Sequence, residues 1–282
     1  MVEVVRESVS ALGRTLSFQQ AGPLDGEPIV LLHGLASDSG TWDRAIPGLA
    51  ERGLRVIAID LLGHGESDKP ATGYLLDDFA ASLQAFLVAV DIPSATLCGH
   101  SLGGAIAVHF GFHYPEQVRR LVLVSSGGLG REVHPMLRFA ALPGAPALLG
   151  AAMRPRLIRL YRRPRLHRAL RLTEDNLVNL RRAGHALGDV PGRRAFFASL
   201  RGVIEPAGQR GSFIEMKYLA QHVPMLIVWS ERDGVIPLAH AHAVKEHVPD
   251  SRLVVFPGGG HEPHRRHADD FAEAVAAFVR DT

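Results

Sequence analysis

A serine stands between two glycines in Gly99-His100-Ser101-Leu102-Gly103, preceded by the apolar run Ala95–Cys98 and followed by a helix-like stretch beginning Gly103-Gly104-Ala105. G-x-S-x-G in a strand–turn–helix setting strains the serine backbone and lifts the hydroxyl above the sheet. A side chain at Gly99 or Gly103 would collide with so tight a turn. A serine hydroxyl is a poor nucleophile until a neighbouring base takes its proton. That base has to be a histidine, the side chain that titrates near neutrality. The chemistry to expect is attack of Ser101 on a carbonyl, an acyl-enzyme, and release of the acid by base-activated water. The helix N-terminus after Ser101 adds positive potential beneath the negative charge that forms.

The chain holds 15 histidines, so position has to choose among them. In an open parallel sheet, reactive groups collect beyond the carboxyl ends of the strands. His261 follows the run Arg252–Phe256 on a Pro-Gly-Gly-Gly loop and is the favoured base. His33 also ends an apolar run, His64 lies in a turn, and His100 is expected to point its side chain away from the nucleophile. The base needs an acid that holds it in the correct tautomer. Glu231 and Asp233 follow the run Met225–Trp229, whereas the Ser125-Ser126-Gly127-Gly128 loop after Arg120–Val124 offers no carboxylate. On position alone, both acids remain candidates.

Short apolar runs alternate with longer helical patterns, which predicts a mostly parallel sheet covered by helices. Buried strands are expected at Ile29–Leu32, Arg55–Asp60, Ala95–Cys98, Arg120–Val124, Met225–Trp229 and Arg252–Phe256, with weaker ones at Val4–Val9 and Arg14–Gln19. Runs such as PIVLL are continuously apolar, as strands covered on both faces should be. Helices are expected near Trp42–Arg52, Leu75–Val90, Leu102–Phe112, Leu238–His247 and Ala268–Val279. The alternation fails between Val124 and Met225, a gap far longer than the dozen or so residues a crossover needs. The excess predicts a helical cap at residues 127–219, divided by Pro143, Pro146, Pro155 and Pro164, on a core of residues 1–126 and 220–282.

At 46% hydrophobic and 21% charged residues, the 282-residue chain has the composition of a globular protein. A secretory signal is not expected from the acid-bearing stretch MVEVVRESVS, and no run comes near the roughly 18 apolar residues of a membrane span. Its single cysteine, Cys98, gives neither a disulfide nor a zinc spacing. A cytoplasmic protein without metal or cofactor, monomeric or homodimeric, is the expectation. The net charge of +2 conceals an asymmetry, because 17 of the 31 basic but 6 of the 29 acidic residues lie between Gly128 and Lys217. The Arg-rich stretch Pro155–Leu172 has three readings: cap helices with solvated arginines (favoured), a basic mouth that steers acidic substrates, or a surface resting on anionic lipid. Nucleic-acid binding is not expected, since no recognition motif accompanies the charge.

Outside the cap, the chain resembles the α/β-hydrolase fold family. The resemblance rests on His33-Gly34 after PIVLL, on Asp60-Leu61-Leu62-Gly63-His64-Gly65-Glu66-Ser67, on GHSLGG, and on the late loops WSERDGVIP and FPGGGHEPH. It implies an eight-stranded sheet with the cap after the sixth strand. It assigns Ser101 as nucleophile, His261 as base and Asp233, just before the G-V-I-P turn, as acid, in the family's order Ser…Asp…His. It makes His33-Gly34 part of the oxyanion loop, with the backbone N–H groups of Leu35 and Leu102 as donors. Gly34, Trp42 and Met136 are expected at the substrate pocket, with packing against the first helix the favoured role for Trp42. Glu262 is expected to face solvent. The substrate is expected to be a small hydrophobic, or acidic, acyl compound, in the first instance a carboxylic ester. A rival is carbon–carbon hydrolysis of a dienoate, as in the meta-cleavage-product hydrolases, which this chain resembles at SSGGLG. The loop HGLASDSG and Glu262 depart from their pattern. A second rival is an idle ligand-binding relative. Serine at position 101 excludes the carboxylate-nucleophile chemistry of epoxide hydrolases and haloalkane dehalogenases.

Overall fold

Successive residues of the central strands enter two different cores. Val30 and Leu32, Ile57 and Ile59, Leu121 and Leu123, and Ile227 and Trp229 join one apolar cluster. Their chain neighbours Ile29 and Leu31, Val56 and Ala58, Val122 and Val124, and Leu226 and Val228 join another. Side chains alternate across a strand, so a run apolar at every position is a sheet covered on both faces. The computed structural model describes residues 2–145, 184, 187–210, 218–219 and 221–282.

The eight strands are β1 (Val4–Ala11), β2 (Arg14–Ala21), β3 (Glu27–Leu32), β4 (Leu54–Ile59), β5 (Ala95–His100), β6 (Val118–Val124), β9 (Met225–Arg232) and β10 (Arg252–Gly259). Strands β7 (Ile204–Glu205) and β8 (Gly208–Gln209) form a separate small hairpin. The large sheet runs in the order β1-β2-β4-β3-β5-β6-β9-β10. Strands β1 and β2 pair antiparallel with their neighbours, and every other pair is parallel.

Helices α2 (Leu76–Ala89) and α3 (Leu102–His113) cover one face through Phe79, Leu83, Phe86, Ile106 and Phe110. Helix α1 (Ile46–Glu51) and the C-terminal helix α8 (Ala268–Asp281) cover the other through Ile46, Leu49, Phe271, Val275 and Phe278. Between Val124 and Met225 the chain leaves the sheet. Its described part there contains α4 (Pro135–Ala140), α5 (Val190–Val203) and the β7–β8 hairpin. A largely helical insertion is the sequence expectation, and the described part also carries that hairpin, whose strands are too short to leave an alternation pattern. The stretch Pro155–Leu172 lies outside the described residues. Helices α6 (Ala239–His247) and α7 (Pro263–Arg266) complete the order.

The turn after β4 is held by a buried carboxylate. Asp60 accepts hydrogen bonds from the backbone N–H of Ser39 at 2.7 Å and of Glu66 at 2.9 Å, and from Arg6 Nη1 at 3.1 Å. Burial pushes its pKa up, but the N–H groups of Glu66 and Ser39 and the neighbouring His33 outweigh this and leave it below the ordinary value. A depressed folded-state pKa stabilises the fold fully above the unfolded carboxylate value of about 3.9, and the contribution disappears as pH falls through the folded value. Asp60→Asn is therefore expected to cost about 1–3 kcal/mol at pH 7. In urea unfolding, the difference from wild type should shrink below pH ~4; a difference that persists undiminished in acid would contradict this account.

Cys98 is fully buried in β5, and burial pushes its thiol pKa up. A disulfide reagent such as DTNB should leave the native protein unmodified and titrate one thiol per chain after unfolding. Fast labelling of the native protein would show that this part of the core opens.

Candidate active site

Strand β5 runs directly into α3, and Ser101 occupies the junction with φ +53° and ψ −115°. A non-glycine residue held there is strained by an amount of order 1–3 kcal/mol, so its surroundings must enforce the geometry. They do so through its carbonyl, which accepts from Gly104 N at 3.0 Å, Ala105 N at 3.4 Å and Gly127 N at 2.9 Å. They do so also through close approach. A Cβ on Gly99 would lie 2.3 Å from Gly103 O, and one on Gly103 would lie 2.2 Å from Leu32 O.

Asp233 follows β9, and His261 follows β10 after a register irregularity between Phe256 and Gly259. His261 Nδ1 lies 2.8 Å from Asp233 Oδ2. The other carboxylate oxygen accepts from Val235 N at 2.8 Å and Ile236 N at 3.1 Å, and the Asp233 side chain is fully buried. Burial raises its pKa, yet the hydrogen bond and charge of His261, together with those two N–H groups, keep it below the ordinary carboxylate value. A carboxylate only accepts hydrogen bonds, so Nδ1 carries the proton and Nε2 presents a lone pair. Nε2 is buried and has no hydrogen-bond partner among the described residues. It is placed to take a proton from whatever group approaches it.

A different histidine shapes the loop after β3. His33 Nε2 accepts from Leu61 N at 3.0 Å, so its Nδ1 carries the proton and donates to Gly34 O at 2.7 Å. That pair of bonds holds the turn leading to Leu35. Gly34 is close beside the elbow, since a Cβ there would lie 3.1 Å from Ser101 Cβ. Leu35, Ser101 and Leu102 share one cleft with Val133, Leu137, Val203 and Ile236. The cleft is largely apolar, and its far wall comes from the inserted segment through α4, α5 and β7. Besides Ser101, Gln209 is polar; its Oε1 accepts from Gly128 N at 3.1 Å and its Nε2 donates to Glu132 O at 2.8 Å, which ties β8 to the loop after β6.

Residues 27–268 match the family described as alpha/beta hydrolase fold. The chain belongs to that family. It is 35% identical over 275 residues to an uncharacterized protein of Mycobacterium tuberculosis, across 96% of this chain and 80% of the relative. It is 30% identical over 280 residues to a 2-hydroxy-6-oxo-6-(2'-aminophenyl)hexa-2,4-dienoic acid hydrolase of Metapseudomonas resinovorans, across 98% of this chain and 91% of the relative. Among solved structures, it resembles a serine hydrolase involved in carbazole degradation, the CarC enzyme, with a TM-score of 0.77 at 27% identity. That likeness covers 99% of this chain and all of the other.

Within this family member, several sequence expectations need correction. Trp42 is fully buried in the core on the α1–α8 face, its ring 4.2 Å from that of His264, so it packs and does not line the cleft. Met136 is 66% exposed at the start of α4, and its neighbours Val133 and Leu137 supply the lining instead. Glu262 does not face solvent. It accepts from Thr41 Oγ1 at 3.1 Å and pairs with Arg265 at 2.8 Å, with 16% of its side chain exposed. His100 packs its ring 4.8 Å from those of both His261 and His264. Burial, and then repulsion from His261, lower its pKa to about 4. His100 is therefore neutral at neutral pH, and its Nε2–H donates to the backbone carbonyl of His261 at 2.7 Å. Thr41, Val133, Leu137 and Gln209 carry no motif that the sequence could have flagged. They reach the site through tertiary packing alone.

Proposed function

We propose that this α/β-hydrolase family member is a serine hydrolase that cleaves a carboxylic ester, or a related acyl bond, through an acyl-enzyme. The observation that carries the reading is the buried Asp233–His261 pair. It leaves Nε2 as an unpartnered base at the same sheet edge as the strained Ser101. Ser101 Oγ attacks the carbonyl carbon while Nε2 takes its proton, and the ionised Asp233 stabilises the resulting imidazolium. The N–H groups of Leu35 and Leu102 face the developing oxyanion, and each such donor is worth roughly 2.7–4 kcal/mol in the transition state. The imidazolium then protonates the leaving alcohol. Water, deprotonated at Nε2, releases the acid. Ser101 and His261 lack a hydrogen bond in the free protein, which accords with catalytic hydrogen bonds that tighten only with substrate bound.

Residues 127–219 act as the cap in this reading. Their apolar contribution at Val133, Leu137, Val203 and Ile204 supports a small hydrophobic acyl group as the preferred substrate. A second reading, carbon–carbon hydrolysis of a dienoate, is favoured by the 30% identity to a dienoic acid hydrolase. A panel of p-nitrophenyl esters from two to twelve carbons, run beside a 2-hydroxy-6-oxo-dienoate, separates them. Ester turnover with an optimum at short or medium chain length is expected. Efficient dienoate cleavage with negligible esterase activity would replace the first reading by the second.

A further inference from the structure

Outside the cleft, three ligand-type side chains converge where α2 meets α3. His109 and His113 lie four residues apart on α3 and so share one face of the helix. Asp77 belongs to the first turn of α2. His109 Nε2 is 2.6 Å from Asp77 Oδ1, and His113 Nε2 is 3.7 Å from the same oxygen. The two imidazoles meet edge to face with centroids 4.6 Å apart, and one ligand atom from each of the three residues lies within 4.8 Å of the others. A plain ion pair accounts for the approach of His109 to Asp77. It does not account for a second imidazole turned toward the same carboxylate oxygen.

We propose that Asp77, His109 and His113 form a binding site for a divalent transition-metal ion, with zinc the best match. Two imidazoles and one carboxylate are zinc-type ligands, with solvent completing a tetrahedron. Zinc bond lengths of 2.0–2.2 Å in tetrahedral geometry set ligand atoms about 3.4 Å apart. Of the two contacts to Asp77, the shorter must open and the longer close, each by less than about 1 Å on that estimate. Asp77 and His113 have the freedom to do so, since their side chains are 77% and 45% exposed. On α3 the site begins eight residues beyond Ser101, about 12 Å along the helix axis. The bound ion ties α2 to the helix that begins at Ser101 and acts as a clasp, with no part in bond cleavage.

The test uses protein freed of any histidine tag, dialysed against EDTA and then into a non-chelating buffer, titrated with zinc chloride in a calorimeter. One equivalent should bind with a micromolar dissociation constant. Binding should weaken at least tenfold in each of Asp77→Ala, His109→Ala and His113→Ala. Excess zinc should raise the melting temperature of wild type by several degrees and leave that of His113→Ala unchanged. His113→Ala alters an exposed side chain, so its metal-free melting temperature and its esterase activity should match those of wild type and confirm that it folds. No saturable uptake by wild type overturns the proposal. Unchanged uptake by a well-folded His113→Ala also overturns it and assigns the metal to other histidines.

Discussion

Replacing Ser101 by alanine will lower kcat by roughly five to six orders of magnitude, the scale seen when a unit of nucleophile and base loses its nucleophile. The fold should survive. Ser101 makes its structural contacts through its backbone carbonyl, which accepts from Gly104, Ala105 and Gly127 whatever the side chain. Alanine keeps the strain at φ +53°, so its stability should lie within about 1 kcal/mol of wild type. Glycine adopts that conformation readily, and Ser101→Gly should be more stable than wild type by about 1 kcal/mol while being equally inactive. Urea unfolding of the three proteins beside ester turnover checks both halves. A stabilised, inactive glycine variant would show that the strain serves the chemistry. An active alanine variant would remove Ser101 from the mechanism.

Asp233→Asn should lower kcat by about 10⁴-fold although the replacement is nearly isosteric. The N–H groups of Val235 and Ile236 bond Oδ1. They will hold the asparagine oxygen in that place and direct its NH₂ toward His261 Nδ1. Nδ1 must then accept, the proton moves to Nε2, and the base has no lone pair for the serine. His261→Ala should be at least as inactive, and the double variant should be no worse than His261→Ala alone, because the residues act as a unit. The depressed pKa of Asp233 keeps its carboxylate ionised throughout pH 5–8.

Most of the sheet was legible because its apolar runs are short, apolar at every position and separated by longer helical patterns, as strands covered on both faces are. Met225–Trp229 is apolar at five successive positions, and β9 begins at Met225 as expected. The helices fell within a residue or two, except that the stretch from Trp42 divides into a 3₁₀ turn at Ser39–Trp42 and a shorter α1 beginning at Ile46. The elbow was legible for a steric reason, since the backbone around Ser101 leaves no room for a Cβ at Gly99 or Gly103. The environment of His261 was not. His100, Thr41, Glu262 and His264 come together from three separate segments, and an acidic residue next to a base reads as a surface group until its arginine and threonine partners are seen. Trp42 packs in the core, the role favoured for it over the pocket, because an aromatic side chain suits either place and burial alone decides. The His109–His113 spacing was visible, but its carboxylate lies 32 residues away on another helix.

The most direct test of the account is covalent. Wild-type protein treated with a fluorophosphonate, digested and mapped by mass spectrometry, should carry one adduct on Ser101. Labelling should vanish in Ser101→Ala and slow by orders of magnitude in His261→Ala. An unmodified wild type, or an adduct on another residue, would contradict a nucleophilic Ser101 served by the Asp233–His261 pair.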